Sequence, residues 1–263
     1  MPCARRAPRR FFFASVKNRS LAGRGIVVTR PRELAGALAA AIEKAGGAAI
    51  LFPTIVIEDV PPPAALRGLE AYDLAVFISP TAVQKVMARV STWPKRLQAA
   101  AIGAGSRREL ERLGVGGVLA PEEGADSEAL LNVPELQRVD GKRVVIFRGG
   151  TGRPLLGDAL AARGASVEYA DCYRRAPAKT DPAPLLALWQ RGGVHAITVS
   201  SSEGLKNFVT LVGAPRLAAT PVFVPHARVA AHARDHGAGV VVVSGPADAA
   251  VLERLVAYFH ERD

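Results

Sequence analysis

Short runs of apolar, often β-branched residues alternate along the chain with longer amphipathic stretches. Residues 144–147 form one such run, which is too short for a helix and is typical of a parallel strand buried on both faces. A glycine-rich turn at residues 149–152 follows, and the next stretch has helical periodicity up to Gly164, which predicts a left-handed glycine cap. The apolar stripe predicted for this helix is Leu155, Leu156, Leu160 and Ala161.

The same arrangement recurs elsewhere in the chain. Residues 23–30 match residues 141–148 at an offset of 118 positions. A second pair of segments, residues 73–81 and residues 195–203, matches at an offset of 122 positions. Because both pairs keep their order at nearly the same spacing, we expect two homologous halves.

The remaining periodicity predicts an alternation of strands and helices. Further strands are predicted at residues 25–29, 48–52, 73–78, 99–102, 196–199, 222–224 and 240–243, with one more that ends at Tyr173. Helices are predicted at residues 31–45, 203–212, 226–236 and 247–260, after Ser79-Pro80 and Gly103–Ser106, and after a cap at Asp126 or Ser127. The first of these helices has the predicted stripe Leu34, Leu38, Ala41 and Ile42. This alternation predicts α/β architecture, with doubly wound parallel sheets covered by helices on both faces.

Two extended segments interrupt the alternation. They lie at residues 54–60 and residues 174–177, and the first leads into three prolines at residues 61–63, which cannot join a central strand. A domain boundary is predicted there. The pattern alone is compatible with two tandem halves and also with one domain inserted in the other.

Charge is concentrated at one end of the chain. The formal net charge is +10, but residues 1–24 hold seven arginines and lysines and no acid, so the remainder carries only +3. No run of basic residues with interleaved aromatics follows, which argues against nucleic-acid binding. Residues 1–21 are interpreted as a disordered basic extension, with a targeting or membrane-surface arm as the alternative, because the apolar run at residues 11–16 is short for a signal peptide.

Other classes of protein are excluded by what the composition lacks. No segment reaches the roughly 20 apolar residues of a membrane helix. Cys3 and Cys172 are the only cysteines, and neither a CxxC nor an HExxH motif occurs, so we expect no structural metal and a cytoplasmic location.

Polar turns follow several predicted strands at the carboxyl edges of the sheets, where parallel α/β proteins bind ligands. Backbone amides at the helix N-termini in these turns attract anions, which predicts a multiply anionic ligand. The alternatives are that the serines only cap helices and that the arginines only form surface ion pairs. Neither a Walker loop nor a complete GxGxxG motif is present. The candidate binding residues are Arg30, Ser79, Pro80, Thr81, Gly103, Ser106, Arg148, Gly149, Gly150, Gly152, Arg153, Ser200, Ser201, Ser202 and His226.

Four of these segments together resemble the uroporphyrinogen-III synthase family: residues 27–31, 77–83, 148–153 and 173–175. The resemblance extends over residues 24–258 and implies a monomer of two similar α/β domains joined by a two-stranded linker, with the active cleft between them. One domain would combine residues 22–56 with residues 178–263, and residues 58–176 would form the inserted domain.

The resemblance also implies an activity. Hydroxymethylbilane, a linear tetrapyrrole with eight carboxylates, would be closed to uroporphyrinogen III with inversion of ring D and loss of water, and without a cofactor. Tyr173 matches the tyrosine of the family and would donate a hydrogen bond to the departing hydroxyl, whereas His226 departs from the family pattern. The implied partner is the substrate, and a transient contact with hydroxymethylbilane synthase is left open.

Two other functions are alternatives to this one. A non-catalytic two-domain protein that binds a polyanionic small molecule would have a similar layout but would return its ligand unchanged. A nucleotide-dependent enzyme would need the complete phosphate motif that the sequence lacks.

Overall fold

The computed structural model describes residues 20–150 and 154–262. The strands are β1 (Gly25–Val28), β2 (Ala48–Leu51), β3 (Ile55–Asp59), β4 (Leu74–Phe77), β5 (Gln98–Ala101), β6 (Arg143–Arg148), β7 (Ser166–Asp171), β8 (Tyr173–Pro177), β9 (Ala196–Thr198), β10 (Val222–Val224) and β11 (Val241–Val243). The α-helices are α1 (Arg32–Lys44), α2 (Pro80–Met87), α3 (Ala104–Arg112), α4 (Ser127–Leu131), α5 (Leu155–Ala162), α6 (Ala183–Gln190), α7 (Ser202–Val212), α8 (Pro215–Ala219), α9 (Ala227–Asp235) and α10 (Asp248–His260). Short 3-10 helices lie at Ala64–Arg67, Leu69–Ala71 and Pro134–Gln137.

The described residues divide into two compact units. Unit 1 combines residues 20–55 with residues 177–262, and unit 2 is Val56–Ala176. Strands β3 and β8 pair as a two-stranded sheet where the chain passes from one unit to the other.

Unit 1 is built on a five-stranded parallel sheet in the order β11-β10-β9-β1-β2. Every residue of the inner strand β1 is buried. Ile26 and Val28 pack with α1 and α10 on one face, whereas Val27 packs with α7 and α9 on the other. The apolar residues of β1 therefore contribute to the hydrophobic clusters on both faces of the sheet.

Unit 2 is built on a four-stranded parallel sheet in the order β5-β4-β6-β7. Val145 and Phe147 of β6 pack with α2 and α3, and Val144 and Ile146 pack with α4 and α5. Phe77 stacks on Phe147 with ring centroids 5.1 Å apart, which fixes β4 against β6. The predicted α/β class with parallel sheets is confirmed.

The two sheets have corresponding strand orders. At the offsets of the sequence repeat, β4 corresponds to β9 and β6 corresponds to β1. The order β5-β4-β6-β7 in unit 2 then matches β10-β9-β1-β2 in unit 1, which adds β11 at its edge. The strands occupy equivalent places although their order along the chain differs, because β1 and β2 precede the inserted unit and β9 and β10 follow it.

The structure corrects several details of the predicted elements. The buried stripe of α1 is Ala35, Leu38, Ala39 and Ile42, so Leu34 and Ala41 lie beside it. In α5, Ala161 is exposed and Gly157 is buried. Helices α6 and α8 were not predicted; α6 is apolar on almost every side, so it gives no amphipathic signal.

Leu21, the last residue of the predicted disordered extension, belongs to the folded part of unit 1. Leu21 is fully buried in the core of unit 1, and its amide donates to the Ala45 carbonyl at 2.9 Å. Residues 1–19 lie outside the described residues. Among residues 20–150 and 154–262, no helix is long and apolar enough to cross a membrane.

We propose that unit 2 is an independently folding domain. Its two hydrophobic clusters contain only residues between positions 56 and 176, so its core is complete without unit 1. A fragment of residues 56–176 is expected to unfold cooperatively in urea, as followed by circular dichroism. A disordered fragment, together with a folded fragment of residues 22–140, would instead support tandem halves.

His195 makes the stability of unit 1 depend on pH. Its Nδ1 accepts the Gly25 amide at 2.9 Å, and burial, with a smaller contribution from Arg24, lowers the pKa of His195. The unfolded chain binds this proton near a pKa of about 6.5, so the stability from neutral His195 is present above that pH and is lost as the pH falls further. We expect the free energy of unfolding to fall between about pH 7 and pH 5.

A matched pair of variants isolates this contribution. His195→Gln is expected to flatten the pH dependence of the urea midpoint, because glutamine does not titrate. His260→Gln changes an exposed histidine and should keep the wild-type slope. Equal slopes in all three proteins would contradict the assignment.

Candidate active site

Three predicted site residues of unit 2 lie at one level of its sheet. Phe77 of β4 is paired with Ala101 of β5 and with Phe147 of β6. Two residues after each of these paired positions come Ser79, Gly103 and Gly149. Because the three strands are parallel neighbours, their carboxyl ends meet at one edge, as the sequence predicted.

Ser79 forms the first of these turns by capping α2. Its Oγ accepts the Ala82 amide at 3.0 Å, and Pro80 occupies the first position of the helix. Thr81, the next candidate, is buried. The predicted cap is therefore present, which explains Ser79-Pro80 structurally and leaves its role in ligand binding a prediction.

Tyr173 contacts both Ser79 and Gly149. Its hydroxyl oxygen lies 3.0 Å from Ser79 Oγ, and the side chain is 5% exposed. A Cβ atom on Gly149 would lie 2.1 Å from a carbon of the tyrosine ring, so only glycine permits this approach. The sequence placed Tyr173 at the end of the strand that follows α5. It instead begins β8, because the chain leaves β7 at Asp171.

Gly103 and Ser106 belong to the start of α3 and not to an open turn. Gly103 is the N-cap, and a Cβ there would lie 2.7 Å from the Ala125 side chain, so glycine allows close packing of the following loop. Ser106 is 1% exposed, and in the part of the chain that the structure describes its hydroxyl has no hydrogen-bond partner. The amides of the first turn remain the groups suited to an anion.

The two mirrored arginines are each engaged by a carboxylate. Arg148 Nε donates to Asp171 Oδ1 at 2.8 Å, and its guanidinium lies 4.0 Å from the centre of the Tyr169 ring. Arg30 donates to Asp248 through a charge-assisted hydrogen bond. Both fit the ion-pair alternative, because each positive charge has a partner within its own unit.

The remaining candidates of unit 1 follow the same scheme. Val28 is paired with Thr198, so Arg30 and Ser200 lie at one level of the sheet. Ser201 Oγ accepts the Gly204 amide at 3.1 Å and caps α7, whose first residue is Ser202. His226 is the N-cap of α9, and its side chain is exposed.

The glycine-rich turn after β6 is described only in part. Gly150 has a φ of 69°, as expected for a glycine in a tight turn. Gly152 and Arg153 lie outside the described residues. No group of three or more His, Cys, Asp or Glu side chains among the described residues is placed to hold a metal ion.

Two residues of unit 2, Cys172 and Tyr72, have strongly raised pKa values. Burial raises the pKa of the Cys172 thiol to about 12, which keeps it protonated next to Tyr173. Burial and a hydrogen bond to Glu168 raise the pKa of Tyr72 to about 12, but Tyr72 lies at the start of β4, at the opposite edge. A perturbed pKa therefore does not identify the site here.

Sequence reasoning missed the partners of the arginines. Asp248 begins α10, after a turn in which Gly245 has a φ of 89°. The signal was available, since Ser244-Gly245-Pro246 follows a strand as the other polar turns do. Asp171 gave no comparable signal, because its pairing with Arg148 depends on the register of β6 against β7.

Comparisons with known proteins place this architecture in a family. A sequence model of uroporphyrinogen-III synthase HemD matches residues 36–253. Uroporphyrinogen-III synthase of Escherichia coli is 34% identical over 195 residues, which cover 71% of this chain and 79% of that protein. The Salmonella typhimurium enzyme is also 34% identical, over 194 residues. The chain belongs to the uroporphyrinogen-III synthase family, whose members are enzymes of tetrapyrrole biosynthesis.

Solved structures of uroporphyrinogen-III synthases have the same fold as this chain. A mutant uroporphyrinogen III synthase from the extremely thermophilic bacterium Thermus thermophilus has a TM-score of 0.59 at 21% identity and covers 91% of this chain and all of its own. Uroporphyrinogen-III synthetase from Helicobacter pylori has a TM-score of 0.63 at 14% identity, with 89% and 99% coverage. At these identities the similarity establishes the fold only.

The contact between Gly149 and the Tyr173 ring leaves no space for a side chain at position 149. Gly149→Ala is expected to push the tyrosine ring away and break its hydrogen bond to Ser79, because the new Cβ would overlap the ring. A crystal structure of the variant measures the distance between the two hydroxyl oxygens. Gly116→Ala is the control, since a Cβ there meets nothing within 4 Å. An unmoved ring in Gly149→Ala would contradict the prediction.

Proposed function

We propose that the chain is a uroporphyrinogen-III synthase, which closes hydroxymethylbilane to uroporphyrinogen III with inversion of ring D and loss of water. The match of the family over residues 36–253 is the observation that carries this proposal. The sequence identity to the Escherichia coli enzyme over most of its length supports it. Family membership also favours catalysis over the alternative of a non-catalytic binding protein.

The strand ends are suited to a substrate with many carboxylates. In unit 2 the N-termini of α2 and α3 lie at neighbouring strand ends, and in unit 1 those of α7 and α9 do. Backbone amides and the helix dipole favour negative charge at these positions. Arg30 and Arg148 are already paired, so we assign the main binding role to amides and only a supporting role to the arginines.

Tyr173 is assigned the hydrogen bond to the leaving group. As the bond between carbon and hydroxyl oxygen breaks, the electron pair leaves with oxygen and a proton completes the water molecule. The cation that remains is stabilised by the electrons of its own pyrrole ring. To invert ring D, the ring-D carbon that already carries the bridge to the next ring attacks this cation, and that bridge bond then breaks to give a second cation stabilised by the neighbouring pyrrole. The free carbon on the other side of ring D attacks the second cation and releases its proton, which balances the loss of water. The O–H group of the phenol stabilises the departing oxygen as a hydrogen-bond donor.

Positioning is the other contribution of the protein. Holding the two ends of a flexible substrate in reacting geometry can supply several kcal/mol of the barrier reduction. We propose that the chain acts as a hydro-lyase without a cofactor, as a monomer, and with at most a transient contact with hydroxymethylbilane synthase.

Product analysis tests the proposal. Purified protein with freshly made hydroxymethylbilane, and without added metal or nucleotide, is expected to give the type III isomer, as measured by chromatographic separation of the oxidised products. Unassisted closure gives the type I isomer, so type I alone would disprove the assignment. A chain that lacks residues 1–20 should give the same ratio of isomers, because none of the assigned groups lies in that segment.

A further inference from the structure

Ser79 has two hydrogen-bonded neighbours in unit 2. Its Oγ accepts the Ala82 amide at 3.0 Å and lies 3.0 Å from the Tyr173 hydroxyl oxygen. A serine hydroxyl has one proton and two lone pairs, and the amide, which can only donate, uses one lone pair. The proton of Ser79 is therefore available to Tyr173, or the second lone pair can accept the proton of Tyr173.

The direction of this bond decides what Tyr173 can do. If Tyr173 donates to Ser79, its proton is occupied inside the protein. If Ser79 donates to Tyr173, the phenol proton is directed away from Ser79 and remains available to a ligand. In the second arrangement the amide, the serine and the tyrosine form a chain in which each hydrogen bond polarises the next, which strengthens Tyr173 as a donor.

Surrounding residues hold the two hydroxyls in this geometry. Gly149 packs directly against the tyrosine ring, because a Cβ at that position would lie 2.7 Å from its hydroxyl oxygen. The start of α2 holds Ser79, with Pro80 as the first helical residue. The contact thus does not depend on two freely rotating side chains.

Unit 1 contains the same cap without the tyrosine. Ser201 caps α7 as Ser79 caps α2, at the offset of 122 positions. The residue equivalent to Tyr173, 118 positions earlier, is Ile55, which begins β3 as Tyr173 begins β8. A serine is therefore sufficient as a cap in this fold, and the contact between two hydroxyls is an additional feature of unit 2.

We propose that Ser79 is a positioning residue for the cyclisation, which donates its proton to Tyr173 so that Tyr173 can donate to the leaving hydroxyl. This inference rests on the proposed function. The helix N-terminus, through the Ala82 amide, supports the chain of donors.

A double-mutant cycle of Ser79 and Tyr173 tests the proposal. Tyr173→Phe keeps the ring and is expected to lower kcat for the type III product by between about tenfold and the roughly 10²–10⁴-fold typical of general acids. Ser79→Ala is expected to lower kcat by about tenfold with little change in KM, because it removes the donor to Tyr173 and not a substrate contact. In the Tyr173→Phe background, Ser79→Ala should have almost no further effect on kcat.

Three further variants separate this role from capping. Ser79→Thr keeps both the cap and the hydroxyl and should restore kcat. Ser79→Gly removes the hydroxyl with a smaller loss of helix stability, and it serves if Ser79→Ala does not fold. Asp126→Ala removes the cap of α4 in the same unit, where Asp126 accepts the Ala129 amide at 2.8 Å, and should lower thermal stability without changing kcat.

The possible results are distinguishable. Type III product from the wild type, together with non-additive effects of the Ser79 and Tyr173 variants, supports the proposal. Type III product with independent, additive effects, or no loss of kcat in Ser79→Ala and Ser79→Gly, overturns it and leaves the proposed function intact. No type III product from the wild type overturns the proposed function, and the role of Ser79 with it.

Discussion

Parallel pairing of strands that are buried on both faces is the constraint on which the rest of this structure depends. A strand such as β1 or β6 has no polar side, so helices must cover the sheet on both faces and every functional group must lie at a strand end. Because neighbouring strands run in the same direction and in register, residues two positions beyond paired residues meet at one level. Ser79, Gly103 and Gly149, which are 24 or more positions apart in the chain, become neighbours for this reason.

The same constraint determines the electrostatics of that edge. Strands β4, β5, β9 and β10 each lead into the N-terminus of a helix, where unpaired amides and the helix dipole favour anions without any lysine or arginine. Arg30, two residues after β1, is paired with Asp248, and Arg148, the last residue of β6, is paired with Asp171. A polyanionic substrate would therefore be bound by fixed dipoles, which need little rearrangement, more than by mobile charges.

Comparison of the repeated units separates structural from functional features. In both units a serine caps a corresponding helix, α2 in unit 2 and α7 in unit 1. The cap accepts a hydrogen bond from one of the amides that the first turn of each helix leaves unpaired. Only unit 2 places a phenol against that serine, and only there does a glycine leave space for the ring. Unit 1 has Ile55 at the equivalent position, a buried residue without a hydroxyl. The two units therefore share the serine cap and differ in the tyrosine and in the glycine that packs against its ring.

The sequence by itself determined the α/β class, most strands and helices, and the serine caps at Ser79 and Ser201. These depend on local periodicity and capping chemistry, which a single stretch of chain contains. It also indicated the repeat, since equivalent segments keep their spacing. Helix α6 was not predicted, because its sequence is apolar on almost every side and gives no amphipathic signal.

Only the tertiary structure decided which polar groups meet. The pairing of Arg30 with Asp248 joins residues 218 positions apart, and the contact of Tyr173 with Ser79 joins residues 94 positions apart. The sequence likewise left tandem and inserted arrangements open, whereas the fold gives unit 1 strands from both ends of the chain. Strand order and register are properties of long-range pairing, which local hydrophobic periodicity does not encode.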